Sequence, residues 1–182
     1  MARERDPPSH THLAQWDQAI APCLQSMARS PQFLLPHVDP NLAEARALMG
    51  SALAYMGRAQ EAEAHVLEAL RLSPRDAMIF EWFLVAGSAK MLLGEFAEAS
   101  AWLRKSIDAN RNRPLAFFLL AACLAHLGRL DEARREVKAG LTVDPDLTLR
   151  RFRAGAQSDN AVYLAQRARV IEGMRLAGVP EG

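Results

Sequence analysis

From Ala43 to Pro145, small and large apolar residues return at helical spacing three times in the same order, in stretches that begin at Ala43, Phe80 and Pro114. The turn glycines Gly57, Gly94 and Gly128 set the register, 37 and 34 residues apart, a period that belongs to solenoids of helix pairs. Five residues after each glycine stands Ala62, Ala99 or Ala133, and four further on Val66, Leu103 or Val137. Small beside large at fixed spacing lets two helices interlock. Seven residues before each glycine come Gly50, Gly87 and Ala121, where a bulky side chain would hold the paired helix away. Pro74 and Pro145 close the first and third segments, since proline lacks the amide proton and clashes with the preceding turn. The second segment has Arg111 in that place and defers its proline to Pro114.

The pattern predicts helix pairs at about 41–56 and 60–72, 77–93 and 96–109, and 114–127 and 131–142. Ala77 to Ile79 are extra between the first two repeats, which predicts either a longer first helix or a loosened turn. Residues 1–12 read as a disordered N-terminus, and 13–31 as a half repeat carrying Trp16 and Ile20. Its apolar face is either covered by the N-terminus and linker or marks a longer array or a second copy. Residues 32–40 read as a linker, with Asp39 and Pro40 opening the next helix. Residues 41–147 hold the three repeats, and 148–182 form a C-terminal segment with a capping helix. In that helix Val162, Tyr163, Val170, Ile171 and Met174 define an apolar face and Arg167, Arg169 and Arg175 lie largely outside it.

These marks resemble the tetratricopeptide repeat, W-x2-L-G-x2-Y, then A-x3-F, then P. The first repeat reads Met49-Gly50-x2-Leu53, Ala62-x3-Val66, Pro74, and the third Phe117-x2-Leu120-Ala121-x2-Leu124, Ala133-x3-Val137, Pro145. The second reads Phe83-x2-Ala86-Gly87-x2-Lys90, then Ala99-x3-Leu103, a weaker match in register. The resemblance implies an all-α, right-handed superhelix of antiparallel helix pairs with a C-terminal capping helix. The runs Ser106–Ala116, Ala125–Arg129, Arg150–Arg153, Ser158–Asn160 and Glu172–Arg175 also look like the repeat region of bacterial, rhizobial-type class III adenylate cyclase or winged-helix regulatory proteins. That likeness implies the accessory or regulatory portion of such a protein, without cyclase activity.

Composition narrows the partner. A chain of 182 residues, 50% hydrophobic and 24% charged, is globular, and its net charge of +1 gives no global reason to expect nucleic acid or an anionic membrane. No run of β-branched residues competes with the helical period. No apolar stretch reaches the roughly 18 residues of a membrane span, and the charged, proline-bearing N-terminus is no secretory signal. Cys23 and Cys123, the only cysteines, suit a reduced, cytoplasmic protein.

No catalytic constellation emerges. Ser158-Asp159-Asn160 lacks the Ser-x-x-Lys nucleophile of penicillin-recognising enzymes and reads as a helix cap. His10-x-His12 lacks further ligands, and neither a metal nor a cofactor is expected. Arg134, Arg135, Arg150, Arg151 and Arg153, balanced by Glu136, Asp144 and Asp146, read as a solvated face with internal ion pairs. Glu98, Trp102 and Lys105 read as ordinary helix surface.

The functional surface implied by the family geometry is the concave one, lined by the first helix of each repeat. Its expected lining is Tyr55, Glu81, Leu84, Ser88, Met91, Leu115, Phe118, Ala122 and His126. Either an apolar peptide or helix from a protein partner enters that groove, or the chain's own terminal helix or linker fills it. On the first reading Phe118→Asp abolishes binding and hardly changes the melting temperature. The asparagine pattern with which some such domains clamp a C-terminal carboxylate is missing, because Leu48, Val85 and Leu119 stand in its place. The expected function is non-catalytic protein binding. The alternative is a self-associating regulatory fragment that dimerises through the half repeat.

Overall fold

The computed structural model describes residues 40–182. The expectations for the N-terminus, the half repeat, Cys23 and the linker before Pro40 lie outside the described residues. Six helices form three consecutive pairs: α1 Pro40–Tyr55 with α2 Ala59–Leu72, α3 Ile79–Leu93 with α4 Phe96–Ala109, and α5 Pro114–His126 with α6 Leu130–Val143. A short α7, Leu149–Ala154, and a long α8, Ala161–Ala177, follow. Each of the first six packs against its neighbours in sequence, and α8 lies chiefly against α5, with further contacts to α3 and α6. The described residues contain no strand. The fold is an all-α solenoid with a C-terminal helix laid on it.

The helix ends fall within two residues of those the pattern predicts. Gly94 shows why the turn needs glycine. Its φ is 85° and its N–H serves the Lys90 and Met91 carbonyls, a left-handed cap that a side chain would strain. Gly57 and Gly128 repeat the positive φ at 78° and 76°. Between α2 and α3 the extra residues form a loosened turn rather than a longer helix, with Asp76 Oδ1 accepting from Met78 N at 2.8 Å. Pro114 opens α5 in its first turn, where its missing N–H costs nothing.

Close approach is what the small positions provide. A Cβ on Gly87 would lie 2.7 Å from Leu103 Cγ, and one on Gly50 would lie 2.8 Å from Val66. Ala62, Ala99, Ala133, Val66 and Leu103 are fully buried, so the small and large residues of each pair interlock. Leu103 has no exposed surface, and Leu103→Ala is expected to lower unfolding free energy by about 2–5 kcal/mol in chemical denaturation. A loss within about 0.5 kcal/mol, typical of a surface site, would refute its core position.

At the position the repeat pattern gives to tyrosine, Lys90 ties three helices together through Glu63, Glu95 and Glu98 at 2.9, 2.6 and 2.8 Å. These pairs hold the ammonium well above its ordinary pKa, Glu95 contributing most. Glu98 is thus an ion-pair partner, while Trp102 stacks on Phe83 with Lys105 over its ring at 4.1 Å. Cys123 is fully buried, and desolvation pushes its thiol up to about 12.

The C-terminal segment departs from the expected picture in two places. The basic cluster is itself helical, with the Thr148 hydroxyl capping α7 by accepting from Arg151 N at 3.2 Å. Leu149 N and Arg150 N then donate to the Pro180 and Glu181 carbonyls at 2.8 and 3.0 Å, which ties the tail to the start of α7. Second, Arg167 lies on the packed face, while Arg169, itself exposed, still reaches a neighbouring helix. Arg169 donates to the Leu92 carbonyl at 2.6 Å, at the C-terminal end of α3, and Arg167 is only 9% exposed. Long cationic side chains reach inward here because helix-end carbonyls need donors and favour positive charge. Among the other arginines, Arg134 pairs with Asp131, Arg151 with Asp144 and Arg153 with Glu181.

Candidate functional site

α8 crosses the C-terminal ends of α1, α3 and α5. Its cap, Asn160, accepts from Val162 N and Tyr163 N at 2.9 and 3.1 Å and sits against Gly57. Further along, the Arg169 carbonyl accepts from His126 Nε2 at 2.7 Å. Gly173 then lets α8 come down on α5, since a Cβ there would lie 2.8 Å from the Ala122 carbonyl and 2.7 Å from the His126 ring. That ring also stacks on Phe96, with centroids 4.2 Å apart.

The expected groove is therefore covered at the end of α5. Ala122 is fully buried and His126 is engaged by α8, so neither faces a groove. Phe118 corrects the expectation more sharply. It has no exposed surface and its ring lies against Gly140 of α6, where a Cβ would come within 2.9 Å. It points at the partner helix of its own repeat. α5 is apolar all round, with every residue from Ala116 to Ala125 buried, so helical spacing could not tell its groove side from its packing side.

What remains is a cleft of about 700 Å³ between α1, α3, the start of α5, α7 and α8. It collects six of the nine expected residues: Tyr55, Glu81, Leu84, Ser88, Met91 and Leu115. Leu84 and Met91 are buried in its floor, and Ser88 and Leu115 are half-buried. Glu81 is held by Arg113 at 2.6 Å. Leu48, Val85 and Leu119, one from each first helix, line the same cleft. The positions that lack the clamp asparagines therefore supply an apolar row, and Leu48 on it is 56% exposed.

The opposite wall was missed by the sequence reading. Phe152 of α7 and Tyr163, Arg167 and Val170 of α8 line the cleft. Tyr55 meets Tyr163 edge to face, with centroids 5.7 Å apart, and burial raises the Tyr55 phenol above its usual pKa. Arg167 lies over the Phe152 ring at 4.0 Å, donates to the Phe152 carbonyl, and donates to Tyr163 Oη at 3.0 Å. The four-residue spacing of Tyr163 and Arg167 was visible in sequence; their position over the cleft was not. Among the described residues no group of three or more His, Cys, Asp or Glu could hold a metal ion, and no helix is long and apolar enough to cross a membrane.

Models of the tetratricopeptide repeat match residues 43–76 and 90–154. Among solved structures, the crystal structure of MamA is similar over 97% of this chain and 94% of its own, at 17% identity and TM-score 0.63. YrrB, a tetratricopeptide protein with an unusual peptide-binding site, is similar over 92% of this chain and 84% of its own, at 22% identity and TM-score 0.59. The first tetratricopeptide unit of Spaghetti (RPAP3), bound to an HSP90 peptide, is similar over 78% of this chain and 99% of its own, at 18% identity and TM-score 0.55. At such identities the likeness shows the fold. No curated protein matches the sequence, and the expected resemblance to cyclase-linked or winged-helix regulatory proteins is not supported. The two family matches, the paired helices and the glycine turns agree, and the chain is a tetratricopeptide-repeat protein.

Proposed function

We propose that the protein is a non-catalytic scaffold that receives an apolar peptide segment of a protein partner in the cleft between α1, α3 and α8. The observation that carries this reading is the row Leu48, Val85 and Leu119, which lines a cleft of about 700 Å³, within the usual size of ligand sites. Similar structures with peptide sites support it. Leucine and valine supply no donors for a carboxylate on that wall, so burial of apolar surface is the attraction there. A cytoplasmic, accessory role in bacterial signalling belongs to the same proposal and rests on the sequence resemblance of the C-terminal runs alone.

Leu48 offers the test because it is exposed in the free protein. An aspartate there stays hydrated until an apolar partner covers it, and covering it costs more than the penalty of about 1–3 kcal/mol for a neutral polar group, which is roughly tenfold to a hundredfold in Kd at the least. Leu48→Asp should weaken binding of peptides selected from a random library by that factor or more, read by fluorescence anisotropy, with an unchanged melting temperature. Equal affinity would move the partner to another surface.

A second reading is favoured by α8, which already occupies the end of this face at Ala122 and His126. On it the protein fills its groove with its own chain and self-associates through residues 13–31. Light scattering across concentration separates the two: a mass that stays at one chain excludes the dimer.

A further inference from the structure

We infer that the cleft holds a subsite for a carboxylate on the bound peptide, centred on Arg167; this rests on the scaffold reading above and states what its ligand carries. The guanidinium belongs to the cleft lining, yet the residue is only 9% exposed. A buried cation is normally matched by a carboxylate. The other arginines of the lining are: Arg113 is held by Glu81 at 2.6 Å and Arg151 by Asp144 at 3.0 Å. Arg167 has no carboxylate partner among the described residues. Its partners are neutral, namely the Phe152 carbonyl and Tyr163 Oη, and its Nε has no acceptor at all.

Tyr163 sharpens the assignment. Its oxygen accepts from Arg167 at 3.0 Å, which leaves the phenolic hydrogen to be donated elsewhere. The first half of α8 thus offers a positive charge and O–H and N–H donors, with an apolar floor beside them. A carboxylate satisfies such a group, and a charge-assisted bond to guanidinium is about twice as strong as a neutral one. An orphaned Nε on a buried arginine is otherwise a standing cost. At the α1 side the lining carries Glu44, which has no cationic partner among the described residues. A peptide carboxylate is therefore repelled from the α1 rim and drawn to Arg167, which orients the peptide. The site differs from a clamp built on the first helices, because its cation comes from the C-terminal helix.

The test uses the full chain and a random heptapeptide library displayed with free C-termini. Enriched peptides are resynthesised as free acids and as C-terminal amides, with each internal Glu or Asp also changed to its amide. Loss of the critical carboxylate should weaken binding about tenfold or more. A drop on amidating the terminus identifies it as the source, and a drop on Glu to Gln identifies a side chain. Arg167→Gln should remove that dependence, so that acid and amide forms bind alike, while Arg167→Lys should retain part of it. Melting temperatures of both variants report whether the α7–α8 junction survives. If Arg167→Gln unfolds that junction, Tyr163→Phe, which deletes only the hydroxyl, should reduce the preference for the acid form. Peptides that bind wild type equally as acid and amide overturn the subsite and leave the scaffold reading standing. A library that yields no binder overturns both.

Discussion

Phe118→Asp should leave the protein without a cooperative thermal transition, with helicity by circular dichroism greatly reduced at 25 °C. Phe118 is fully enclosed, and its ring fills the space left by Gly140 on the facing helix. Deleting a buried phenylalanine ring alone costs about 3–5 kcal/mol. An aspartate at the same place must also give up hydration with no donor in the pocket to replace water, or bind a proton to avoid it. Together these approach the whole stability of an ordinary domain, about 5–15 kcal/mol. The expectation from sequence ran the other way, with Phe118 in an open groove. A Phe118→Asp protein that melts like wild type would restore that placement and contradict the packing of α5 on α6.

Ending the chain after Asp159 should produce a protein that self-associates and melts at a lower temperature. α8 buries Val170 and Met174, and the tail buries Val179, to 4%, 0% and 4% exposure. Burying such side chains stabilises by about 1.5–3 kcal/mol each. The same cut removes Arg169 from the Leu92 carbonyl and leaves His126 without its acceptor. The apolar residues of α5 would then meet water as a contiguous patch, and patches of that kind drive association. Light scattering and thermal unfolding of the truncated chain check this. A monomer of wild-type stability would show that α8 is an independent arm, and the cleft would lose one wall.

The periodic elements were legible because their causes are local. A glycine is required where φ is positive, as at Gly94, and a small residue where helices nearly touch, as at Gly87 against Leu103. Both requirements leave a mark at one position, so Gly57, Gly94 and Gly128 predict the pairs without reference to anything distant. On the second helices, α4 and α6, the four-residue spacing after Ala99 and Ala133 marked Leu103 and Val137 as the large partners, and both are buried. The first helices gave less. In α5 an unbroken run of buried residues offers no contrast, and six of the expected groove residues reached the cleft while Phe118, Ala122 and His126 did not.

Sequence by itself thus determined the repeat, its turns and the interlock within each pair, because each depends on residues a few positions apart and on backbone conformation. Only the tertiary structure decided where α8 lies, and with it the extent of the cleft. That choice rests on contacts between distant segments: Gly173 meeting Ala122 and His126, Arg169 reaching Leu92, and Tyr163 meeting Tyr55. Arg167 shows the reason most plainly. Four residues from Tyr163 and three from Val170, it falls on the apolar face of α8, where nothing local answers its charge; α7 folds back beneath it and offers a helix-end carbonyl and an aromatic ring. A long cationic side chain can serve water or a buried acceptor equally well by composition; which one it meets depends on the chain that arrives beside it.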